Sequence, residues 1–147
     1  MNESVLEILD REVCVELLRE HIVGRIAFTI DDYPVVFPVN YLLVEDQNPW
    51  LMLRTKPGSD LGTGPRRVGF QIDGVDPSHH RGWSVLVRGD TREIADQALP
   101  ELRDRPALRS WMPGDWNTWL AIDIVAVTGR RLHEGEALWA FDARGYR

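Results

Sequence analysis

Residues 25–30 alternate between large apolar side chains and small or polar ones, and this two-residue period limits the fold more than any other feature. Ile26, Phe28 and Ile30 share one face of an extended strand at that spacing. The same alternation returns at residues 68–73. Antiparallel strands of this kind bury one face against a core and leave the other exposed. We therefore expect a mainly β protein built from antiparallel strands.

Turn-forming segments divide the chain into six expected strands. These segments are rich in Asp, Pro, Gly and Asn, which favour the backbone angles of turns. The expected strands are residues 25–30, 35–44, 50–55, 68–73, 82–94 and 119–127. Pro100, Pro106 and Pro113 limit residues 96–116 to short helices, because proline breaks a helix interior.

A single helix is expected before the first strand. Asp10 can accept hydrogen bonds from the free amide groups of the first turn, as N-cap residues do. Apolar residues follow at helical spacing: Val13, Cys14, Leu17 and Leu18. His21 and Gly24 mark the expected end of the helix. A cysteine on an apolar stripe indicates packing rather than a nucleophile.

Six strands in hairpin order favour a closed antiparallel barrel, because closure removes the exposed edges of an open sheet. A Greek-key barrel and a sandwich are both compatible with the strand pattern. A barrel of this size fills its interior with side chains, so a sizeable ligand must bind outside it. We expect that ligand in a groove between two copies of the chain. One domain would span residues 1–147, with its core at 10–132 and a C-terminal tail at 133–147.

Charge and composition restrict the partners. The net charge of −6 disfavours nucleic acid, which usually meets a basic surface. The chain begins without a basic leader, and its apolar stretches stay below the roughly 20 residues of a membrane span. A single cysteine fits a reducing compartment. We expect a cytoplasmic protein whose partners are a small molecule and a second copy of itself, with no nucleic acid and no membrane.

Three segments could bind a ligand, and each also has a purely structural interpretation. Within residues 37–41, Pro38 must lie at a sheet edge, at a bulge or beside a ligand. Residues 54–59 hold two cations, two hydroxyls and a glycine, which could cradle an anion or form a solvated turn. In residues 82–89, Trp83 could cover a ligand or pack in the core.

Other signals for chemistry are weak. His79 and His80 follow Asp76 in a polar loop, but adjacent side chains point apart and no third ligand is evident. We therefore expect no metal site. The sequence has no Ser-His-Asp order, phosphate-binding loop or dinucleotide fingerprint, and it does not identify a catalytic residue.

Taken in order, the motifs resemble those of a known family. They are His-x-x-Gly-Arg-x-Ala-Phe at 21–28, Pro-Val-Asn-Tyr at 38–41, Arg-Thr-x-Pro-Gly-Ser at 54–59 and Gly-Trp-Ser-Val-x-Val-Arg-Gly at 82–89. The combination is similar to the pyridoxamine 5′-phosphate oxidase-like flavoproteins, and most similar to the actinobacterial branch that includes nitroimidazole-resistance type proteins. Val-Thr-Gly-Arg-Arg-Leu at 127–132 also fits that branch.

The resemblance implies a split β-barrel homodimer that binds FMN, or the deazaflavin F420, in grooves between subunits. The residues that it implies for the isoalloxazine ring are Pro38, Val39, Asn40 and Tyr41. Those near the ribityl phosphate would be Arg54, Thr55, Lys56 and Ser59. Trp83 and Ser84 would approach the ring region, either from the same subunit or from its partner. The implied activity is a flavin-dependent oxidoreductase acting on a small organic substrate. The alternatives are a non-catalytic flavin- or deazaflavin-binding dimer and a member that has lost its cofactor.

The phosphate loop departs from the family pattern at one position. The family commonly has a lysine directly after the hydroxyl residue, where this chain has Asp60. A carboxylate there repels a phosphate dianion by about 1–4 kcal/mol at a separation of about 4 Å. Lys56, Arg66 or Arg67 could compensate. Otherwise the chain binds FMN weakly, prefers F420 or has lost cofactor binding.

Overall fold

The computed structural model describes residues 6–55, 59–62, 64–94, 105, 108 and 118–133. These residues form seven strands, one α-helix and one 3-10 turn. In chain order they are β1 (Leu6–Leu9), α1 (Arg11–Glu20), β2 (Val23–Ile30), β3 (Tyr33–Val44), β4 (Trp50–Thr55), the 3-10 turn (Asp60–Gly62), β5 (Arg67–Asp76), β6 (Arg81–Ile94) and β7 (Thr118–Leu132).

Six of the strands close into an antiparallel ring. The order around the ring is β2-β3-β4-β7-β6-β5, and β5 pairs with β2 to complete it. Three consecutive strands lie side by side as β2-β3-β4, and the fourth, β5, returns beside the first, which is the Greek-key arrangement. The expected mainly β, six-stranded Greek-key barrel is confirmed, and the sandwich alternative is excluded because the ring closes.

The N-terminal strand β1 was not predicted. It pairs with the end of β7, from Leu6 opposite Leu132 to Leu9 opposite Gly129. Only Leu9 of its four residues is buried, so it is too short and too exposed for an apolar period to indicate it. β7 itself continues five residues beyond the predicted end at Val127.

Some predictions lie outside the described residues. The short helices expected within residues 96–116 lie there apart from Arg105 and Leu108, and so does the tail beyond His133. Within the described part of the chain, no helix is long and apolar enough to cross a membrane.

The helix α1 covers one end of the barrel. Asp10 caps it as predicted, accepting a hydrogen bond from the Val13 amide at 3.0 Å. Cys14 and Leu18 are fully buried, and burial raises the pKa of the Cys14 thiol, which fits a packing role. Gly129 of β7 allows this close approach, since a Cβ there would lie 2.5 Å from the sulfur of Cys14. We call this the capped end.

At the other end the barrel is split between β3 and β4. These strands pair only from Tyr41 opposite Leu53 to Val44 opposite Trp50. Residues 33–40 of β3 pair with β2, and no described strand pairs with their other edge. We call residues 33–40 the open half of β3, and this end of the barrel the open end.

Candidate functional site

A groove of about 390 Å³ lies at the open end. This volume is in the range of small-molecule sites. Its wall is apolar along β2 and β3 and becomes polar at the end of β4 and the following turn. The lining residues are Ile26, Phe28, Ile30, Phe37, Pro38, Val39, Arg54, Thr55, Ser59, Asp60 and Leu61.

The main chain of the open half is oriented by its pairing with β2. The amide of Tyr41 donates to the carbonyl of Ile22 on the β2 side, at 2.9 Å. Main-chain groups alternate sides along a strand, so those of Val36 and Pro38 point away from β2. Pro34 lies four residues before Pro38, so its main-chain groups also point away from β2. Neither proline therefore interrupts the hydrogen bonds between β2 and β3. Of the three positions expected for Pro38, the described strands show the sheet edge.

Hydroxyl groups and an arginine form the polar end of the groove. The hydroxyls of Thr55 and Ser59 lie 2.7 Å apart and share a hydrogen bond. The guanidinium of Arg54 donates to the carbonyl of Leu108 at 3.3 Å and lies 4.7 Å from the ring centre of Trp119. Both contacts hold the guanidinium against Trp119 and Leu108, while Arg54 itself is one of the residues that line the groove.

Asp60 lines the same end, on a turn that Arg66 ties to the barrel. The Arg66 guanidinium donates to the Asp60 carbonyl at 2.8 Å and to the Thr29 carbonyl of β2 at 3.1 Å. Thr91 of β6 holds the backbone of Arg66 by two hydrogen bonds, at 2.8 and 2.9 Å. Arg66 thus fixes the position of the turn, which brings Asp60 into the lining of the groove.

Half of the predicted site residues meet in this groove, namely Pro38, Val39, Arg54, Thr55 and Ser59. Asn40 and Tyr41 are not among its lining residues. The Tyr41 side chain is fully buried, and its hydroxyl donates to the Leu18 carbonyl of α1 at 2.7 Å. Lys56 lies outside the described residues.

Trp83 lines a second groove of about 440 Å³, formed by the ends of β5, β6 and β7. Its ring packs against His21 with centres 4.8 Å apart, and it lies over Gly74, where a Cβ would be 2.6 Å from the indole nitrogen. Ser84 is buried beside it, opposite Arg130. The described lining residues of the two grooves do not overlap.

Sequence reasoning missed most of the apolar wall. The two-residue period places Ile26, Phe28 and Ile30 on the core face of a strand, and this is correct. It does not show that the same face also lines the groove at the open end. Phe37 was assigned no separate role, although it lies on the same face as Val39. The two prolines of β3, four residues apart, were the available signal for an open edge.

No group of three or more candidate metal-ligating side chains occurs among the residues that the structure describes. His79 instead contacts Asp76 at 2.8 Å on the surface. This contact lowers the pKa of the Asp76 carboxyl, mainly through the hydrogen bond from the imidazole.

Comparison with known proteins finds one relative by sequence and two by structure that cover most of the chain. "Uncharacterized protein Rv0080" of Mycobacterium tuberculosis is 32% identical over 133 residues, which cover 84% of this chain and 84% of that protein. The solved structure of the FAD binding protein from Mycobacterium smegmatis matches with a TM-score of 0.64 and 28% identity, over 86% of this chain and 98% of that chain. The conserved protein of unknown function DIP1874 from Corynebacterium diphtheriae matches with a TM-score of 0.70 and 28% identity, over 85% and 96%.

The family described as pyridoxamine 5′-phosphate oxidase matches residues 10–131. This range contains α1, five complete strands of the ring and all but the last residue of the sixth. It also contains every described lining residue of the groove at the open end. The chain belongs to the pyridoxamine 5′-phosphate oxidase family.

Proposed function

We propose that the chain is a flavin-dependent oxidoreductase that binds its flavin in the groove at the open end and acts on a small organic substrate. The observation that carries this proposal is the arrangement of the groove. An apolar wall suited to a planar ring leads to a polar end that is lined by Arg54 and by the paired hydroxyls of Thr55 and Ser59, groups of the kind that bind a phosphate. The similar protein from Mycobacterium smegmatis is described as FAD binding.

The residues fit the parts of a flavin nucleotide. Phe28 and Phe37, whose ring centres are 5.9 Å apart, provide an aromatic wall for the isoalloxazine. Main-chain groups at the edge beside Pro38 can meet polar atoms at the rim of the ring. Arg54, Thr55 and Ser59 would hold the ribityl phosphate. A bound flavin supplies the capacity to accept and return a hydride, and these residues orient it.

We propose that the working unit is a homodimer. Trp83 and Ser84 belong to one of the motifs that resemble the family, as do residues of the groove at the open end. In this chain, however, Trp83 lines the second groove and Ser84 lies next to it. A second copy can bring its Trp83 to the first groove. Light scattering of the purified chain tests this, with an expected mass twice that of the 16.9 kDa chain; a monomer mass at micromolar concentration would contradict it.

Two arginines that stack on tryptophans provide a matched test of the binding site. Arg54 stacks on Trp119 and lines the groove, whereas Arg92 lies 5.3 Å from the ring centre of Trp50 and lines neither groove. Charge-assisted contacts contribute about 1.5–3 kcal/mol each. We therefore expect Arg54→Ala to weaken FMN binding at least about tenfold in a fluorescence titration. Arg92→Ala should leave it unchanged, and equal affinities in the two variants would remove Arg54 from the site.

A flavin-binding dimer without catalytic activity is the second candidate. Among the described residues that line the groove, the ionisable side chains are Arg54 and Asp60, so acid–base chemistry has few candidates there. Reduction of the bound flavin distinguishes the oxidoreductase from the non-catalytic binding protein. The oxidoreductase is supported if a nicotinamide or deazaflavin donor bleaches the bound flavin and an organic acceptor then restores the flavin colour. Stable flavin colour with every donor supports the binding protein.

A further inference from the structure

The indole of Trp83 covers a glycine on the neighbouring strand. Trp83 of β6 lies directly opposite Gly74 of β5. A Cβ on Gly74 would lie 2.6 Å from the indole nitrogen and 2.9 Å from the adjacent ring carbon Cε2. Gly74 does not have a positive φ, so glycine is needed here for space rather than for backbone conformation. Any side chain at this position would displace the indole.

His21 holds the same indole from the end of α1, where it is the C-cap residue. Its ring centre lies 4.8 Å from that of Trp83, with the planes inclined at 57°, which is within the range of favourable aromatic pairs. Its Nδ1 donates a hydrogen bond to the Leu17 carbonyl at 2.7 Å, since a carbonyl oxygen can only accept. This bond pairs a carbonyl of the last helical turn and fixes the imidazole against the indole.

Trp83 is therefore ordered before a ligand arrives. Part of its side chain packs against the main core, and it also lines the second groove. A side chain that is already fixed loses little conformational freedom when a ligand binds against it, and this preorganisation increases affinity. The contacts from α1 and β5 thus prepare an aromatic surface in the wall of this groove.

Resting on the proposed function and its homodimer, we infer that His21 and Gly74 are positioning residues for the flavin site of a second copy. They act through Trp83, because they fix its indole in the orientation in which it meets the flavin of the other subunit. Neither residue needs to contact the flavin itself.

A fluorescence titration of the purified full chain with FMN tests this inference. Trp83→Leu removes the aromatic contact and should weaken binding roughly three- to tenfold. His21→Ala frees the indole and Gly74→Ala displaces it, so each should weaken binding about threefold, as expected when one side chain must be ordered on binding. Gly69→Ala is the matched control on β5, because the nearest atoms to a Cβ there would be 3.9 Å away. It should leave the affinity unchanged, and equal losses for the two glycine variants would contradict the inference.

A double-mutant cycle shows whether His21 acts through Trp83. In the Trp83→Leu background, His21→Ala should cause no further loss of FMN affinity. The inference is wrong if His21→Ala weakens binding equally in both backgrounds. It is also wrong if Trp83→Leu binds FMN as tightly as the natural chain, a result that leaves the proposed function intact.

Near-ultraviolet circular dichroism of the flavin-free protein follows the indole without any ligand. His21→Ala and Gly74→Ala should change the tryptophan bands. Because the chain has six tryptophans, the same substitutions are repeated in the Trp83→Leu background, where the bands should no longer respond. Changes that persist without Trp83 would overturn the inference. A natural chain that binds no flavin would instead overturn the proposed function, and with it the contact between Trp83 and the flavin.

Discussion

The two ends of the barrel are built from the same strands, but they differ in how the strands finish. At the capped end, α1 seals the ring, with Cys14, Leu18 and Tyr41 fully buried. At the open end, β3 pairs with β4 only from Tyr41 onward. One edge of residues 33–40 therefore has no neighbouring strand among the described residues. The two ends of the barrel therefore differ in role. Side chains at the capped end stabilise the fold, and those at the open end are available for a ligand.

Strand β3 shows this division within two residues. Val39 and Tyr41 point to the same face of the strand, yet Val39 lines the groove and Tyr41 lies in the core. The difference arises because β4 pairs with residue 41 but not with residue 39. The role of each side chain is therefore decided by the partner strand, rather than by the type of residue.

The largest expected effect that separates the two ends is a loss of stability at the capped end. Leu18→Ala removes a fully buried side chain between α1 and the barrel, and such truncations cost about 2–5 kcal/mol. Urea unfolding should show this loss, while flavin affinity per folded molecule stays at the natural value. Leu17→Ala, on the half-buried side of the same helix, should cost less. A drop in flavin affinity for Leu18→Ala would contradict the proposed difference in role between the two ends of the barrel.

A smaller effect is expected at Tyr41, where burial raises the pKa of the phenol above its ordinary value of about 10. Tyr41→Phe removes the hydrogen bond to the Leu18 carbonyl and should cost about 1–2 kcal/mol at neutral pH. Above about pH 10 the phenol ionises in the unfolded chain but not in the folded one. The natural chain should therefore lose stability as the pH rises through that range.

The same unfolding experiment repeated across alkaline pH provides the control. Tyr41→Phe has no phenol to ionise at this position, so its stability should fall less steeply above about pH 10 than that of the natural chain. Parallel curves for the two proteins would mean that Tyr41 ionises as readily when folded as when unfolded. That outcome would contradict its burial at the capped end.

The smallest expected effect tests the open end. Phe37 and Val36 are adjacent and both largely exposed, but only Phe37 lines the groove. Phe37→Ser should weaken riboflavin binding roughly three- to tenfold, as the loss of an aromatic contact predicts. Val36→Ser should leave it unchanged, and neither variant should lose much stability because both side chains are solvated. Equal binding by the two variants would place the flavin elsewhere.

The sequence predicts the ring well because its strands carry a local signal. Alternation at 25–30 and 68–73 and turns at fixed points are properties of neighbouring residues, and the structure places strands there. The short strand β1 has no such signal, since its pairing with β7 joins residues more than a hundred positions apart. The same limit applies to the end of β7, which is extended by contacts with β1 and β6.

The candidate site is predicted less completely, for the same reason. The motif at 54–59 indicates an anion site directly, because hydroxyls and cations lie close together in the sequence. Tyr41 is part of a motif that resembles a ring-binding segment, but its register opposite Leu53 puts its side chain in the core. No local pattern reveals that register. The tie between Arg66, Thr29 and Asp60 also depends on contacts between distant segments.

Binding of the flavin at the open end is the proposal on which the predicted differences between the two ends depend. Amide chemical shifts of the isotopically labelled full chain, followed during a titration with riboflavin, test it most directly. We expect the amide signals of Val36, Phe37 and Thr55 to shift progressively, while those of Cys14 and Leu18 at the capped end do not. Shifts at the capped end without shifts at Val36, Phe37 and Thr55 would contradict it.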